Sequence, residues 1–440
     1  MNQPQTSPTD SDSIAASVPE SPSKPARLLS LDTFRGLIMC SLAINGLAFA
    51  ATAKRLGYGP DVEVTTFTGR VWQLLAFHNS HPFWNSQFWV IGCSYWDLIQ
   101  PSFMFMVGVS MPYSFASRRK QGHSRLKLSS HALIRALVLI ALGVFLQTRN
   151  SGLDSNRLLT NVLSQIGLGY FFVYLLLGRS FRLHVLTAVI VLAGYWVWFI
   201  QHPTPDPLPP AAAESIVGLS VPDSVAARFA LNVDPATELD VKLFNSLPHG
   251  KEIGAHPAGY VTLNFIPSAI TMLFGVMAGT LLRSERDDRQ KVLQLVAAGA
   301  VCMTIAVLLS YTVCPVVKKI WTPAWTLYSG AWVVWILAGL YWIIDVRGWK
   351  KWTLPLVIVG MNSLAMYLMG SLLKGWVSER LQVYLGDEWL RAWLSQSWNL
   401  ELSKNLFAGP YGATIQAAMV FGVFWLACLY LYRNKMFFRI

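Results

Sequence analysis

Residues 292–313, VLQLVAAGAVCMTIAVLLSYTV, run without a single charged side chain. At a rise of about 1.5 Å per residue, a helix of this length crosses the ~30 Å hydrocarbon core of a bilayer. Arg283, Arg286, Arg289 and Lys291 stand directly before it. Because basic residues collect on the cytoplasmic side of membrane spans, this stretch predicts a transmembrane helix that begins at the cytoplasmic face.

Similar apolar windows recur along the chain. Together they predict an all-α, polytopic integral membrane bundle of about 10 transmembrane helices. The windows are 34–53, 96–115, 131–148, 159–177, 183–201, 260–282, 292–313, 324–344, 353–373 and 412–432.

The composition agrees with a lipid environment. Hydrophobic residues make up 53% of the 440 residues and charged residues only 13%, against roughly 25% charged in soluble domains. The lipid bilayer is therefore the first partner that the sequence implies. The net charge of +12 is spread over short clusters between apolar windows, which argues against a nucleic-acid partner.

These basic clusters predict the orientation. All of them fall on one side if there are ten spans and both termini are cytoplasmic, as in a multi-pass protein of the cell inner (plasma) membrane. The clusters lie at 118–127, 179–182, 283–291, 347–351 and 433–439. Residues 1–26 are rich in Ser, Pro and Thr and lack an apolar stretch, so we expect a disordered cytoplasmic tail and an uncleaved first span.

The rest of the chain, 27–435, reads as one membrane domain. Three large extracytoplasmic loops are expected at 54–95, 202–259 and 374–411, and long loops are often functional. The second begins HPTPDPLPPAAAE (202–214), which is too rich in proline to predict a helix.

Polar side chains inside the spans need a partner or a function. Asp32 and Arg35 share one face of the first span and could simply pair with each other. The others lie mostly toward the outer side and favour a polar cavity there, although any of them could instead bond between helices. They are Asn45, Asp97, Gln100, Asn161, Gln165, Asn264, Asn362, Ser363 and Tyr367.

Histidines add a candidate base. His78 and His81 lie in AFHNSHPFWNSQFW, shortly before Asp97, where a carboxylate could orient and tune an imidazole. None of the five cysteines forms a CxxC pair or stands near a histidine at ligand spacing, so no metal site is expected.

Five segments of the sequence resemble segments of one protein family, and they occur in the same order as in that family. RLLSLDTFRGLIMCSLAING (27–46), GCSYWDLIQPSFMFMVGVSMPYS (92–114) and VLSQIGLGYFFVY (162–174) are similar to the early blocks of the heparan-α-glucosaminide N-acetyltransferase-like membrane proteins, especially the bacterial members. LNFIPSAITMLFGVMAGTLLRS (263–284) and GMNSLAMYLMGSLL (360–373) are similar to the later ones.

The resemblance implies a transmembrane acyl transfer. It implies that acetyl-CoA is the co-substrate on the cytoplasmic side and that an extracytoplasmic amino sugar or glycan accepts the acyl group. The family's HxxW motif is found here as His81-Pro82-Phe83-Trp84, which makes His81 the expected active-site residue. Counting back from Asp97 without a gap would place Gln87 there instead.

On this hypothesis, His81 is either the base or a transient carrier of the acyl group. Asn45, and also Asn264, would donate hydrogen bonds to the reacting groups, and Asp97 would either orient His81 or cap its own helix. Arg35 and the basic 118–127 loop lie on the side where an anionic CoA would arrive, and Arg suits phosphate. For the loop, the alternative is that its charges serve only as a positive-inside signal. Asp32, Arg35, Gln100, Asn264 and Asn362 complete the expected substrate- and cofactor-binding set.

Two other classes stay open at the level of sequence. One is a transporter or permease, which would also have many spans and a polar cavity. The other is a catalytically silent membrane relative. The sequence identifies neither the acceptor nor the oligomeric state, a homodimer included.

Overall fold

The computed structural model describes residues 28–438 apart from 44–45, 61, 82–83, 85–92, 153–155 and 386–406. The predicted tail 1–26, Asn45 and Gln87 therefore lie outside the described residues. The described part is helical and contains no strand, which confirms the all-α polytopic class. Its α-helices are α1 (Leu29–Ala43), α2 (Phe49–Arg55), α3 (Phe67–His78), α4 (Ile99–Lys120), α5 (Arg125–Ser151), α6 (Val162–Leu175), α7 (Phe181–Gln201), α8 (Pro210–Ser215), α9 (Asp223–Ala226), α10 (Pro235–Ser246), α11 (Phe265–Leu282), α12 (Asp288–Thr312), α13 (Pro323–Leu340), α14 (Leu354–Met361), α15 (Ser363–Leu372), α16 (Lys374–Leu385) and α17 (Gly412–Arg433).

The predicted count of about ten spans is not confirmed. By length and composition, six helices of the described chain can cross a membrane, namely α5, α7, α11, α12, α13 and α17. The number rises to eight if two bent pairs each form one span: α1 with α2, bent by 51°, and α14 with α15, bent by 65°. The other two predicted windows hold α4, which is less apolar, and α6, which has only 14 residues.

Two helices form the centre of the bundle. The most apolar window of α11 is 67% buried and that of α13 is 56% buried, against 17% for α12 and α17. A helix with a mostly apolar exposed surface is suited to lipid rather than water. We therefore assign α12 and α17 to the periphery.

The contact between α4 and α11 is the most extensive in the structure. A Cβ on Gly108 would lie 1.9 Å from the carbonyl oxygen of Met272, and one on Gly275 would lie 2.1 Å from that of Phe105. Only residues without a side chain allow two helix backbones to come this close, as in many membrane helix pairs. The same argument holds for Gly36 of α1 against α14, where a Cβ would lie 1.9 Å from the Leu356 oxygen.

The loop at 202–259 is more ordered than its proline content predicts. It contains the short helices α8, α9 and α10, so the expectation that 202–214 excludes a helix is wrong for its last residues. Pro210 occupies the first position of α8, where a missing N–H costs no hydrogen bond. Asp240 of α10 accepts a hydrogen bond from the Thr262 main-chain N–H at 2.6 Å, which ties this loop to the segment that leads into α11.

Candidate active site

His81 and Asp97 are brought together by two adjacent turns. His81 follows the end of α3, and its Nδ1 lies 2.7 Å from Oδ1 of Asp97 in the 3-10 turn Tyr95–Leu98 before α4. The side chain of Ser94 accepts the Asp97 main-chain N–H at 3.1 Å. Because Ser94 caps this turn, the Asp97 carboxylate is available to bond His81. Of the two predicted roles of Asp97, this arrangement favours orienting His81 over capping the helix.

A third charged group completes the cluster. Lys318, in the loop between α12 and α13, places its Nζ 3.1 Å from Asp97 Oδ1 and 3.0 Å from His81 Nδ1. The side chains of Lys318 and Asp97 are only 8% and 2% exposed. Buried charges of this kind persist when they are paired, and each of the two supplies the other's counter-charge.

The geometry favours one tautomer of His81. An ionised carboxylate is only an acceptor, so the 2.7 Å contact requires a proton on Nδ1. An Nδ1 that carries this proton cannot also accept from the Lys318 ammonium at 3.0 Å, so Lys318 bonds Asp97 and not His81. The neutral ring then carries its lone pair on Nε2. Burial lowers the pKa of His81, and the Lys318 cation acts in the same direction against the opposing effect of Asp97. His81 is thus a neutral base at neutral pH.

His81 and Lys318 border a cavity of about 470 Å³ at the end of the bundle opposite the basic clusters. Its size is within the usual range for small-molecule sites. Side chains from six parts of the chain line it. The polar and aromatic ones are His81, Trp96, Gln100, Gln147, Arg157, Thr160, Asn161, His256, Tyr260, Lys318 and Tyr367.

Several basic side chains lie at the cavity. Arg157 and Lys318 line it, and Lys319 lies next to it with its Nζ 5.8 Å from the centre of the Trp84 ring. Burial, together with Arg157 and Lys319, lowers the pKa of His256 to about 4. An Nδ1 that accepts the Ala258 N–H at 3.0 Å also identifies His256 as neutral.

Of the other predicted site residues, some line the cavity and others lie elsewhere in the structure. Gln100 lines the cavity. Asn264 is buried and donates from Nδ2 to the Lys319 carbonyl at 2.6 Å, so it holds the lysine loop and does not line the cavity. Asn362 is buried at the bend between α14 and α15.

Asp32 and Arg35 lie further away. Arg35 is 3.4 Å from Asp32 and donates a second hydrogen bond to Ser110 Oγ at 2.8 Å. Ser110 stands ten residues beyond Gln100 on α4, which corresponds to about 15 Å along the helix. The structure therefore does not bring this pair to His81.

Sequence reasoning missed Lys318, Arg157 and His256. The overlooked signal was position: Lys318 and Lys319 lie in a short loop at the end of the bundle that the other basic clusters avoid. A lysine pair on the side disfavoured by the positive-inside rule invites a functional explanation. Among the described residues, no group of three or more His, Cys, Asp or Glu side chains could hold a metal ion.

Comparisons with known proteins agree with the family resemblance found in the sequence. Residues 64–217 match the family model described as heparan-alpha-glucosaminide N-acetyltransferase, catalytic. This stretch includes His81, Asp97, Gln100 and Arg157.

Two curated relatives extend the match. Heparan-alpha-glucosaminide N-acetyltransferase of Mus musculus is 25% identical over 424 residues, which cover 86% of this chain. That of Homo sapiens is 24% identical over 456 residues and covers 94%. In each case the match covers 60% of the relative, so the chain spans about three-fifths of their length. The resemblance is thereby confirmed: over most of its length, the chain is similar to the heparan-α-glucosaminide N-acetyltransferases.

Proposed function

We propose that this chain is a membrane acetyltransferase. It moves an acetyl group from acetyl-CoA, supplied on the cytoplasmic side, to an amino sugar or glycan on the opposite side of an inner membrane. The observation that carries the proposal is the 2.7 Å contact between His81 Nδ1 and Asp97 at the wall of a polar cavity. The similarity to N-acetyltransferases supports the reaction class.

His81 is the proposed general base. Transfer to an amine requires that the nitrogen attack the thioester carbonyl, that the carbon–sulfur bond break and that the amine lose a proton. With Nδ1–H bonded to Asp97, the His81 Nε2 lone pair can accept that proton, and the CoA thiolate is protonated on leaving. The Asp97 contact favours His81 over the alternative Gln87.

The charge of the cavity suits this chemistry. Nearby cations favour the neutral form of an acceptor amine, which is the nucleophilic form. They also stabilise negative charge that develops on the carbonyl oxygen. Lys318 and Arg157 are the candidates for this role, and Gln100 is the candidate for a hydrogen bond to the acceptor. Asn45, Asn264, Asn362, Asp32 and Arg35 stay predictions.

The test is CoA release by the full-length protein in detergent. Purified protein is mixed with acetyl-CoA and a panel of amino sugars, and free thiol and acetylated product are measured. His81→Ala should lose about 100-fold or more in rate. His249→Ala, in the outer loop and exposed, is the matched histidine control and should retain the wild-type rate.

Other outcomes would reject the proposal. Full activity of folded His81→Ala would exclude His81 as the base. A wild-type protein that releases no CoA with any acceptor but carries a solute into vesicles would be a transporter.

A further inference from the structure

A second cavity lies at the other end of three helices that line the first. Helices α4, α5 and α6 contribute Gln100, Gln147 and Val162 to the His81 cavity and, at their opposite ends, border a space of about 130 Å³. On α4 the two cavities are represented by Gln100 and Ser114, which are about 21 Å apart along the helix. The second cavity therefore opens at the end that carries the basic clusters.

Arg135 is its most unusual lining residue. It lies within the candidate span formed by α5, about 15 Å along the helix from Arg125. A charged residue in such a position is costly and is usually functional. The guanidinium lies 5.0 Å from the centre of the Tyr170 ring, and its Nε is buried with no hydrogen-bond partner in the described part of the chain. An aromatic face stabilises the cation but leaves its N–H donors unsatisfied.

The surroundings of Arg135 are positive. Arg118 and His131 also line the cavity, and residues 113–135 contain no Asp or Glu. Partial desolvation and the neighbouring basic residues Lys127, His131 and Arg118 lower the pKa of His123, which stacks on His131 with ring centres 6.2 Å apart. Such a site attracts an anion.

The size of the cavity limits that anion. It measures about 130 Å³, against about 470 Å³ for the His81 cavity. A small group such as a phosphate therefore suits it better than a larger ligand. Arginine is the side chain best suited to phosphate oxygens, because its planar fork donates two parallel hydrogen bonds.

We propose that this cavity binds the phosphate group of a phosphate ester, with Arg135 as the anchor and Arg118 and His131 as supporting donors. Basic pockets between membrane helices on the cytoplasmic side bind anionic lipid headgroups. The same chemistry would hold a phosphate of CoA, and in that case the inference rests on the proposed function.

The experiment measures binding, not catalysis. Full-length protein is placed in phosphatidylcholine nanodiscs. One arm titrates 3′,5′-ADP, the nucleotide end of CoA, by calorimetry. The other arm adds phosphatidylglycerol and measures its retention by native mass spectrometry. The variants are Arg135→Gln, Arg135→Lys and Arg118→Gln, and the matched control is Arg182→Gln, which is exposed at the start of α7.

Binding of either ligand with at least a ~10-fold loss in Arg135→Gln, a smaller loss in Arg118→Gln and no loss in Arg182→Gln would support the site. The arm that responds identifies the source of the phosphate. The proposed site would be rejected if wild type bound neither ligand. It would also be rejected if wild type and both Arg135 variants bound the ligands equally well. If Arg135→Gln does not fold, the binding measured with Arg118→Gln, at a half-buried residue, decides between these outcomes.

The two proposals can fail separately. Phosphatidylglycerol binding that depends on Arg135, in a protein that releases no CoA, would retain this site and reject the acetyltransferase. If folded Arg135→Gln transfers acetyl groups at the wild-type rate and no phosphate binding is found, the acetyltransferase is retained and the phosphate site is rejected.

Discussion

The indole nitrogen of Trp84 donates a hydrogen bond to the main-chain oxygen of Phe229 at 2.9 Å, across 145 residues of sequence. Trp84 is the last residue of the HxxW motif and is almost fully buried. It therefore ties the segment that carries His81 to the 202–259 loop. This bond gives the tryptophan of the motif a physical role that is separate from chemistry.

Replacing Trp84 by Phe keeps most of the buried surface but removes the donor. The Phe229 oxygen then loses its partner, at a cost of about 1–3 kcal/mol. We expect a lower thermal midpoint and weaker activity in detergent-solubilised protein. Trp349→Phe, at a residue that is 69% exposed, should match wild type. Equal stability of the two variants would contradict this role.

The pairing of Asp97 with Lys318 predicts a specific double-mutant pattern. Asp97→Asn leaves the Lys318 cation buried without its counter-charge, which should cost about 3–5 kcal/mol in stability. Adding Lys318→Gln removes that charge and should restore much of the stability. It should not restore activity, because the carboxylate that orients His81 is still missing. Thermal unfolding and CoA release of the three variants test this, and simple additivity in stability would argue against the pair.

The depressed pKa of His81 predicts how the rate depends on pH. The base works in its neutral form, so kcat/KM should fall as pH decreases through a value below the ordinary 6.5. Lys318→Gln removes a cation that disfavours the imidazolium and should move this acid limb to higher pH. Lys319→Gln should move it less, because Lys319 has the smaller effect on the His81 pKa.

A second readout of the same group needs no activity. Diethylpyrocarbonate modifies neutral imidazole, so the pH dependence of His81 modification, followed by peptide mass spectrometry, reports its pKa directly. A midpoint that stays in place or falls in Lys318→Gln would refute the electrostatic role of Lys318.

The close contact of α4 and α11 predicts sensitivity to a single methyl group. Gly108→Ala and Gly275→Ala would each put a Cβ about 2 Å from a carbonyl oxygen, where backbone has to move. We expect a loss of about 1–3 kcal/mol for each. Gly194→Ala in α7, where a Cβ would meet nothing within 4 Å, is the helical control and should be neutral or slightly stabilising.

The elements of the site differ in how well sequence predicts them. His81 and Asp97 are only 16 residues apart, and both lie in patterns that the family resemblance makes visible. Lys318 is 221 residues from Asp97, and its approach depends on how α12 and α13 pack, which no local pattern encodes. Asn264 shows the converse: its residue type and place in a span were recognised, but its partner is a main-chain carbonyl.

The predicted count of about ten spans is not confirmed for a related reason. Hydropathy windows record apolar content and not continuity of the helix. The windows 34–53 and 353–373 each contain a bent helix pair, and the described helix in 159–177 has only 14 residues. Packing inside the bundle, and not the local sequence, determines whether such pieces cross the bilayer.

The close contact of α4 and α11 at Gly108 and Gly275 also determines the relative positions of His81 and Lys318. Gly108 stands 11 residues after Asp97, and Gly275 stands 11 residues after Asn264, so equal lengths of helix, about 16 Å, separate the contact from each residue. Asp97 holds His81, while Asn264 holds the loop that carries Lys318. A slip of α4 against α11 by one residue would therefore displace His81 relative to Lys318 by about 1.5 Å. No residue that lines the cavity would have to be replaced for this to happen.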